Sequence, residues 1–302
     1  MAFLNRLIHL FIGDNSNTQK DLPLANQFVH LSDEQMSYAI DLCMRNPWLH
    51  SKSSQLEETI VQIVSKVSGA DKLFKTLINR FCFVSKAESD NKVKILVSQI
   101  EDHWKAPKET TVIMAVCKMG NSHGDGSQAL LNDLKRDMHE WKEDRFFSHF
   151  DIENERIKKG YNVILIDDFV GSGETIGKRI EALDGIIASN ARLYVVGLGA
   201  TKVSRQYLNK NYPNVSFFSP DYVKRGFDPQ ASPKKKDIML KMEDLLSPKY
   251  KNYKLADFSL GYNQSCAVYY NEDYRIPNNV FPVFWWGELK TEDKFNSLFI
   301  RT

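Results

Sequence analysis

Apolar residues in the first third of the chain recur every three to four positions, the spacing that places them on one face of a helix. Residues 32–35, Ser-Asp-Glu-Gln, form a capping box and predict a helix that runs toward Arg45. Residues 54–57, Ser-Gln-Leu-Glu, predict a second capped helix, and an apolar stripe over 73–81 predicts a third. Residues 1–105 are therefore expected to be an N-terminal α-helical region that packs on the rest of the chain.

The pattern changes after Pro107 to short β-branched runs separated by glycine-rich turns and helical stretches. Strands that alternate with helices are typical of an α/β fold with a mostly parallel sheet. We expect residues 106–302 to form this α/β domain, in which the polar, lysine-rich stretch 221–254 is a basic insertion or lid. The predicted strands are 110–116, 162–166, 192–198 and 215–218.

Composition changes this picture little, since 42% hydrophobic and 26% charged residues are usual for a folded protein. The net charge of +2 is too small to attract nucleic acid to the whole surface. The four cysteines include no C-x-x-C pair, which favours reduced thiols and a cytoplasmic protein. The apolar start, residues 3–12, is interrupted by Arg6 and His9, so we expect an amphipathic helix that docks on protein and no membrane span.

The segment 163–175 carries the strongest chemical signal. Four apolar residues, 163–166, predict a buried parallel strand, and Asp167 and Asp168 follow it directly. A small turn with Gly171, Ser172, Gly173, Glu174 and Thr175 then leads into a helix. Ligands of open α/β sheets bind beyond the carboxyl ends of the strands, and such a turn presents backbone N–H groups and hydroxyls to a phosphate.

The two carboxylates indicate which class of phosphate ligand the turn is expected to bind. Neighbouring residues in a strand point to opposite faces, so we expect only one of Asp167 and Asp168 to face the ligand directly. Carboxylates accept hydrogen bonds from ribose hydroxyls and bind Mg²⁺, which indicates a sugar phosphate. A Walker A loop is excluded because no lysine lies within 167–175, and a dinucleotide fingerprint needs a third glycine. The alternative is an acidic strand end with a helix cap of purely structural role.

Residues 166–175 resemble the phosphoribosyl-pyrophosphate motif of type I phosphoribosyltransferases. The resemblance implies that the turn from Gly171 to Thr175 holds the 5′-phosphate and that Asp167 and Asp168 bind ribose or Mg²⁺. Glu174 departs from the pattern, because it adds a negative charge to a loop that holds a dianion.

Two further segments resemble parts of the same family. The loop after the strand 112–116 is similar to its pyrophosphate loop, with Lys118 as the cation and Gly120 permitting an unusual backbone, although a plain turn is the alternative. Residues 260–285 contain a glycine-aromatic turn, a strand and a Pro-Asn-Asn segment ending in Trp. This pattern resembles a bacterial phosphoribosyltransferase-like group encoded in anti-phage and other conflict systems. The large aromatics over 281–286 are expected to pack rather than to stack on a base.

These resemblances imply a protein that binds phosphoribosyl pyrophosphate or a nucleotide with Mg²⁺, and three functions stay open. The first is an enzyme that transfers the phosphoribosyl group or cleaves a nucleotide's glycosidic bond, with Asp167, Asp168 and Lys118 as catalytic residues, acting as a defence effector. The second is a catalytically inactive nucleotide-sensing module. The third is a subunit of a larger defence assembly, in which the Lys-Tyr segment 249–254 contacts a nucleic-acid or protein partner.

Overall fold

The computed structural model describes residues 31–117, 125–299 and 301. The amphipathic helix predicted over residues 3–12 lies outside these residues. The helices, in chain order, are α1 (Asp33–Arg45), α2 (Ser53–Gln62), α3 (Ala70–Ile78), α4 (Lys86–Ser98), α5 (Gly126–Asp137), α6 (Glu155–Lys158), α7 (Glu174–Leu183), α8 (Lys202–Asn211) and α9 (Pro233–Glu243). The strands are β1 (Cys82–Val84), β2 (Thr111–Ala115), β3 (Phe146–Phe147), β4 (Asn162–Val170), β5 (Leu193–Thr201), β6 (Ser216–Phe218), β7 (Tyr222–Val223), β8 (Lys249–Tyr250), β9 (Tyr253–Lys254) and β10 (Tyr269–Asn271).

The first of two compact units combines the described residues of three separate stretches, Met1–Arg80, Ser232–Ala256 and Pro282–Arg301. The predicted capping box of α1 is present, because Gln35 N–H donates to Ser32 Oγ and Ser32 N–H donates to Gln35 Oε1. The second predicted box is wrong: α2 begins at Ser53, and no side chain caps it.

Aromatic residues from the C-terminal stretch complete the core of this first unit. The Phe74 ring of α3 lies 5.7 Å from the Phe284 ring, and Trp48 stacks on Phe299 at 5.8 Å. Trp285 is fully buried. Phe74 of α3 and Trp48, which follows α1, therefore pack against residues more than two hundred positions away in sequence.

The second unit comprises Phe81–Ala231 and Asp257–Phe281 and holds a six-stranded sheet. Its strands run in the order β3-β2-β4-β5-β6, with β7 also pairing β5, and all of these pairs are parallel. Alternate residues of β4 enter two separate hydrophobic clusters, with Ile164 in one and Leu165 in the other. Helices α4 and α5 contribute to the first cluster, and α7 and α8 contribute to the second. The predicted α/β fold with a mostly parallel sheet is confirmed.

The boundaries of the two units differ from the domain boundaries predicted from the sequence. Residues 81–105 belong to the sheet unit and not to the N-terminal helices, because Val93 and Leu96 of α4 are buried in a cluster beside the sheet. The stretch 221–254 is not one insertion. Its first part adds β7 to the sheet, whereas α9 and the β8–β9 hairpin lie in the helical unit. None of the described helices has both the length and the hydropathy needed to cross a bilayer.

Candidate functional site

Three carboxylates meet beyond the middle of the sheet. Asp125, Asp167 and Asp168 each offer an oxygen, and these oxygens all lie within 4.8 Å of one another. Strand β4 continues through both aspartates to Val170, four residues beyond the predicted end, because Phe169 and Val170 pair with Gly199 and Ala200 of β5. The expectation that only one aspartate faces the site does not hold, since both contribute an oxygen to the cluster.

Asp125 is not among the site residues predicted from the sequence, although a local signal marks it. Asp125 is the N-cap of α5, and its Oδ1 accepts hydrogen bonds from the Ser127 N–H at 2.9 Å and the Ser127 hydroxyl at 2.7 Å. Gln128 closes a capping box in the other direction through its side-chain oxygen at 3.2 Å from Asp125 N. An Asp-x-x-Gln box after a predicted strand marks a helix start at the ligand edge of a sheet.

Gly126 lets the start of α5 approach the acidic cluster. A Cβ atom at this position would lie 2.2 Å from Cγ of Asp168, so any side chain would overlap the carboxyl group. The Asp168 carboxylate thus lies against the N-terminal end of a helix, where backbone N–H groups favour a negative charge.

Burial and neighbouring charges disfavour the ionised form of Asp167 in this cluster. Desolvation, followed by the charges of Asp168 and Asp125, holds the pKa of Asp167 well above its ordinary value. Arg179 of α7 is a basic side chain near the cluster, and it donates from Nε to the Val116 carbonyl at 2.9 Å. Burial lowers the pKa of Arg179, whose charge interacts with Asp167 and Asp125. The charge of this partly buried guanidinium favours the ionised forms of the two carboxylates with which it interacts.

The turn after β4 has its carbonyl groups fixed and its N–H groups available. The Thr201 hydroxyl donates to the Gly171 carbonyl at 2.5 Å, and the Ser204 hydroxyl donates to the Val170 carbonyl at 2.8 Å. No described residue accepts a hydrogen bond from the backbone N–H of Gly171, Ser172, Gly173 or Thr175. Donors without acceptors at the start of a helix are the arrangement that binds phosphate.

Two further features of the turn fit the predicted role. Gly173 has a φ of +87° and precedes α7, so a residue with a side chain would be strained there. The Glu174 N–H donates to Ser172 Oγ at 3.3 Å, and the Thr175 side chain is exposed. The turn therefore combines a glycine-dependent bend with hydroxyl groups that keep access to solvent.

The donor set suits a hard divalent cation. Mg²⁺ prefers oxygen ligands and usually combines one or two carboxylates with water and phosphate oxygens. Asp167 and Asp168 come from the sheet, and Asp125, whose Oδ1 accepts hydrogen bonds from Ser127, lies beside them at the start of α5. These residues fit Mg²⁺ on the side where a phosphorylated ligand would approach.

Other predicted residues fall outside this cluster. Lys118 and Gly120 lie outside the described residues. The aromatics of the C-terminal pattern are confirmed as core, since Phe281, Phe284, Trp285 and Trp286 are fully buried.

The tyrosines of the β8–β9 hairpin already have partners within their unit. The ring of Tyr253 lies 5.3 Å from the Arg301 guanidinium and 6.0 Å from the Trp285 ring. Tyr250 is flanked by Lys251 at 5.4 Å and by the Trp286 ring at 5.7 Å. These contacts give the predicted Lys-Tyr segment a packing role.

Comparisons with known proteins find one matching family and remote matches among solved structures. Solved structures that match include the AQ2163 protein from Aquifex aeolicus, 11% identical over 57% of this chain and 84% of that one, with a TM-score of 0.33. A purine phosphoribosyltransferase from Pyrococcus horikoshii Ot3 is 13% identical over 47% of this chain and 89% of that one, with a TM-score of 0.29. No curated protein matches the chain. A sequence profile of the PRTase-CE family matches residues 66–301, well over half of the chain. The chain therefore belongs to the PRTase-CE family of phosphoribosyltransferase-like proteins.

Proposed function

We propose that the protein binds a phosphorylated ribose, either phosphoribosyl pyrophosphate or a nucleotide, together with Mg²⁺. The observation that carries this proposal is the turn from Gly171 to Thr175, which lies beside three carboxylates. Four of its five backbone N–H groups, all but that of Glu174, have no acceptor among the described residues. Phosphate oxygens would accept from these N–H groups, and the ribose hydroxyls would donate to Asp167 or Asp168. The family's phosphoribosyltransferase-like character favours the same class of ligand.

The reaction that this arrangement suits is breakage of the bond at ribose C1. Asp167 and Asp168 would hold the ribose, and the turn would hold its 5′-phosphate, so that the C1 atom stays fixed while the leaving group departs. Bound Mg²⁺ would neutralise charge that develops on a departing pyrophosphate. The acceptor is then either a small molecule, which makes the protein a transferase, or water, which makes it a glycosidic-bond-cleaving enzyme.

Calorimetric titration tests the binding proposal directly. Ribose 5-phosphate with Mg²⁺ should bind the wild-type protein, and ribose alone should bind at least tenfold more weakly, because the N–H groups contact only the phosphate. Equal affinities for the two sugars would refute the phosphate assignment. Release of pyrophosphate from phosphoribosyl pyrophosphate, with water or an added nucleobase as the acceptor at C1, would then identify an enzyme. Binding without release in either condition would favour the nucleotide-sensing module.

We further propose a role in bacterial anti-phage defence, supported by the resemblance of the pattern 260–285 to conflict-system proteins. The test is the plating efficiency of phage on cells that express the chain with its neighbouring genes. Wild type should lower plating, and Asp167→Asn should restore it. Equal plating with and without the wild-type chain, across a broad phage panel, would contradict this role.

A further inference from the structure

The C-terminal part of the sheet unit places one amide side chain directly against the phosphate-binding turn. A Cβ atom at Gly171 would lie 2.1 Å from both Cγ and Nδ2 of Asn279. Glycine at the first position of the turn thus leaves room for the Asn279 amide as well as for a ligand. Asn279 belongs to the Pro-Asn-Asn segment, whose role the proposed function does not explain.

Hydrogen bonds and one close backbone approach fix the backbone of Asn279. Its carbonyl accepts hydrogen bonds from the Ser265 hydroxyl at 2.8 Å and from Ala267 N–H at 3.1 Å. The carbonyl also lies 2.0 Å from the position of a Cβ atom at Gly261, so only glycine fits there. The backbone carbonyl of the preceding residue, Asn278, accepts a hydrogen bond from the Tyr262 N–H at 2.9 Å.

The turn that supplies these contacts has an unusual backbone. Besides Gly261, residues with side chains adopt left-handed conformations in it, with φ between 50° and 59°: Leu260, Asn263, Gln264 and Cys266. Left-handed backbone at such residues persists only where the surroundings hold it, and it concentrates at functional sites. This strained turn holds the backbone of Asn279 in place.

The Asn279 side chain retains unused hydrogen-bonding capacity although it is only 8% exposed. Its Nδ2 donates to Ser265 Oγ at a long 3.3 Å, which uses one of two N–H groups. Among the described residues, Oδ1 accepts no hydrogen bond, and no other acceptor contacts Nδ2. A nearly buried amide with unused groups normally has a partner that the protein alone does not supply.

We propose that Asn279 is a ligand-binding residue whose amide N–H donates to the phosphate group held by the Gly171 turn. This inference rests on the proposed function and adds a specificity-determining contact to it. The partner is an anion and not a hydroxyl, because the neighbouring turn already presents N–H groups to the same space. A phosphate dianion accepts from backbone and side-chain donors together.

The order of affinities among three variants tests the contact. Phosphoribosyl pyrophosphate with Mg²⁺ is titrated into wild type, Asn279→Ala, Asn279→Asp and the matched control Asn278→Asp. Loss of a donor to a charged group should weaken binding about tenfold in Asn279→Ala. Asn279→Asp should bind more weakly still, because it places a carboxylate beside the phosphate, and Asn278→Asp should bind within about threefold of wild type.

A purely structural role predicts the reverse order. Aspartate has the shape of asparagine and would pack better than alanine, so Asn279→Asp would bind more tightly than Asn279→Ala. That order, or equal affinity in wild type and both Asn279 variants, would overturn the inference while leaving the proposed function intact. If folded wild type binds no phosphoribosyl pyrophosphate, both the inference and the proposed function are refuted.

A second measurement covers the case in which Asn279→Asp does not fold. Gly171→Ala should lower the melting temperature, because its methyl group overlaps the Asn279 amide, and Asn279→Ala in the same chain should restore most of the loss. If the double variant melts no higher than Gly171→Ala, the amide does not lie against the turn and the inference fails.

Discussion

Replacing both aspartates of β4 with asparagine should stabilise the fold and abolish binding of Mg²⁺ and ligand. The carboxylate oxygens of Asp125, Asp167 and Asp168 lie within 4.8 Å of one another, and two unit charges at this distance repel by about 3 kcal/mol at an effective dielectric constant of about 20. Protonation of Asp167 relieves part of this repulsion, so we expect the double variant Asp167→Asn, Asp168→Asn to gain about 1 to 3 kcal/mol at neutral pH. A gain of 1 kcal/mol raises the melting temperature by about 2 to 4 °C in domains of this size.

The pH dependence of this gain follows from the pKa of Asp167. The folded state binds the Asp167 proton more tightly than the unfolded state, because the pKa is raised by desolvation and by Asp168 and Asp125. Wild type therefore loses stability as the pH rises from about 4 through the pKa of Asp167 in the folded state. The double variant lacks this carboxyl group and does not lose stability for this reason. The difference in melting temperature should be smallest in acid and largest above neutrality.

The assay is thermal unfolding with and without Mg²⁺ and phosphoribosyl pyrophosphate. Wild type should melt at higher temperature in their presence, and the double variant should show no shift. Asp184→Asn, which removes an exposed carboxylate at the end of α7, is the control and should retain the shift. The reasoning is refuted if the double variant melts well below wild type and wild type gains nothing from ligand, since the aspartates would then be structural.

Three further outcomes follow from the geometry. Gly173→Ala should lose about 1 to 3 kcal/mol of stability in chemical denaturation, because φ is +87° and the new Cβ would lie 2.8 Å from the Tyr207 ring; an unchanged midpoint would contradict this. Glu174→Gln should tighten binding of ribose 5-phosphate several-fold at low salt and less at high salt, as titration at two ionic strengths would show. A fragment of residues 31–105 should lack a cooperative melting transition, because Phe284 and Phe299, which cover its helices, are missing; a sharp transition would show that it folds alone.

Local patterns in the sequence were sufficient for strands β2, β4, β5 and β6 of the sheet and for the glycine turn that follows β4. The apolar run over 163–166 with a glycine turn after it has few alternative structures, and β4 and α7 form where it predicts them. Strand β4 extends further because its neighbour β5 offers Gly199 and Ala200 as pairing partners. Pairing of this kind depends on contacts between distant residues and is not visible in a local pattern.

The remaining features depend on contacts across the chain. Asp125 joins Asp167 and Asp168 only because Gly126 permits close approach of α5 to β4, which no spacing in the sequence indicates. The division into units could not be predicted either, since Phe284 and Phe299 pack against helices far upstream. A helix stripe shows that an apolar face must be buried, but it does not identify what covers it.

The central claim is that the Gly171 turn and the acidic cluster bind one phosphorylated ribose with a metal ion. Crystals grown with phosphoribosyl pyrophosphate and Mn²⁺, a Mg²⁺ substitute with an anomalous signal, test it most directly. We predict an anomalous peak about 2.2 Å from oxygens of Asp167 or Asp168 and a phosphate within hydrogen-bonding distance of the backbone N–H groups from Gly171 to Thr175. Density for the ligand elsewhere, or an empty turn at saturating ligand in a crystal with open access to it, would contradict the account.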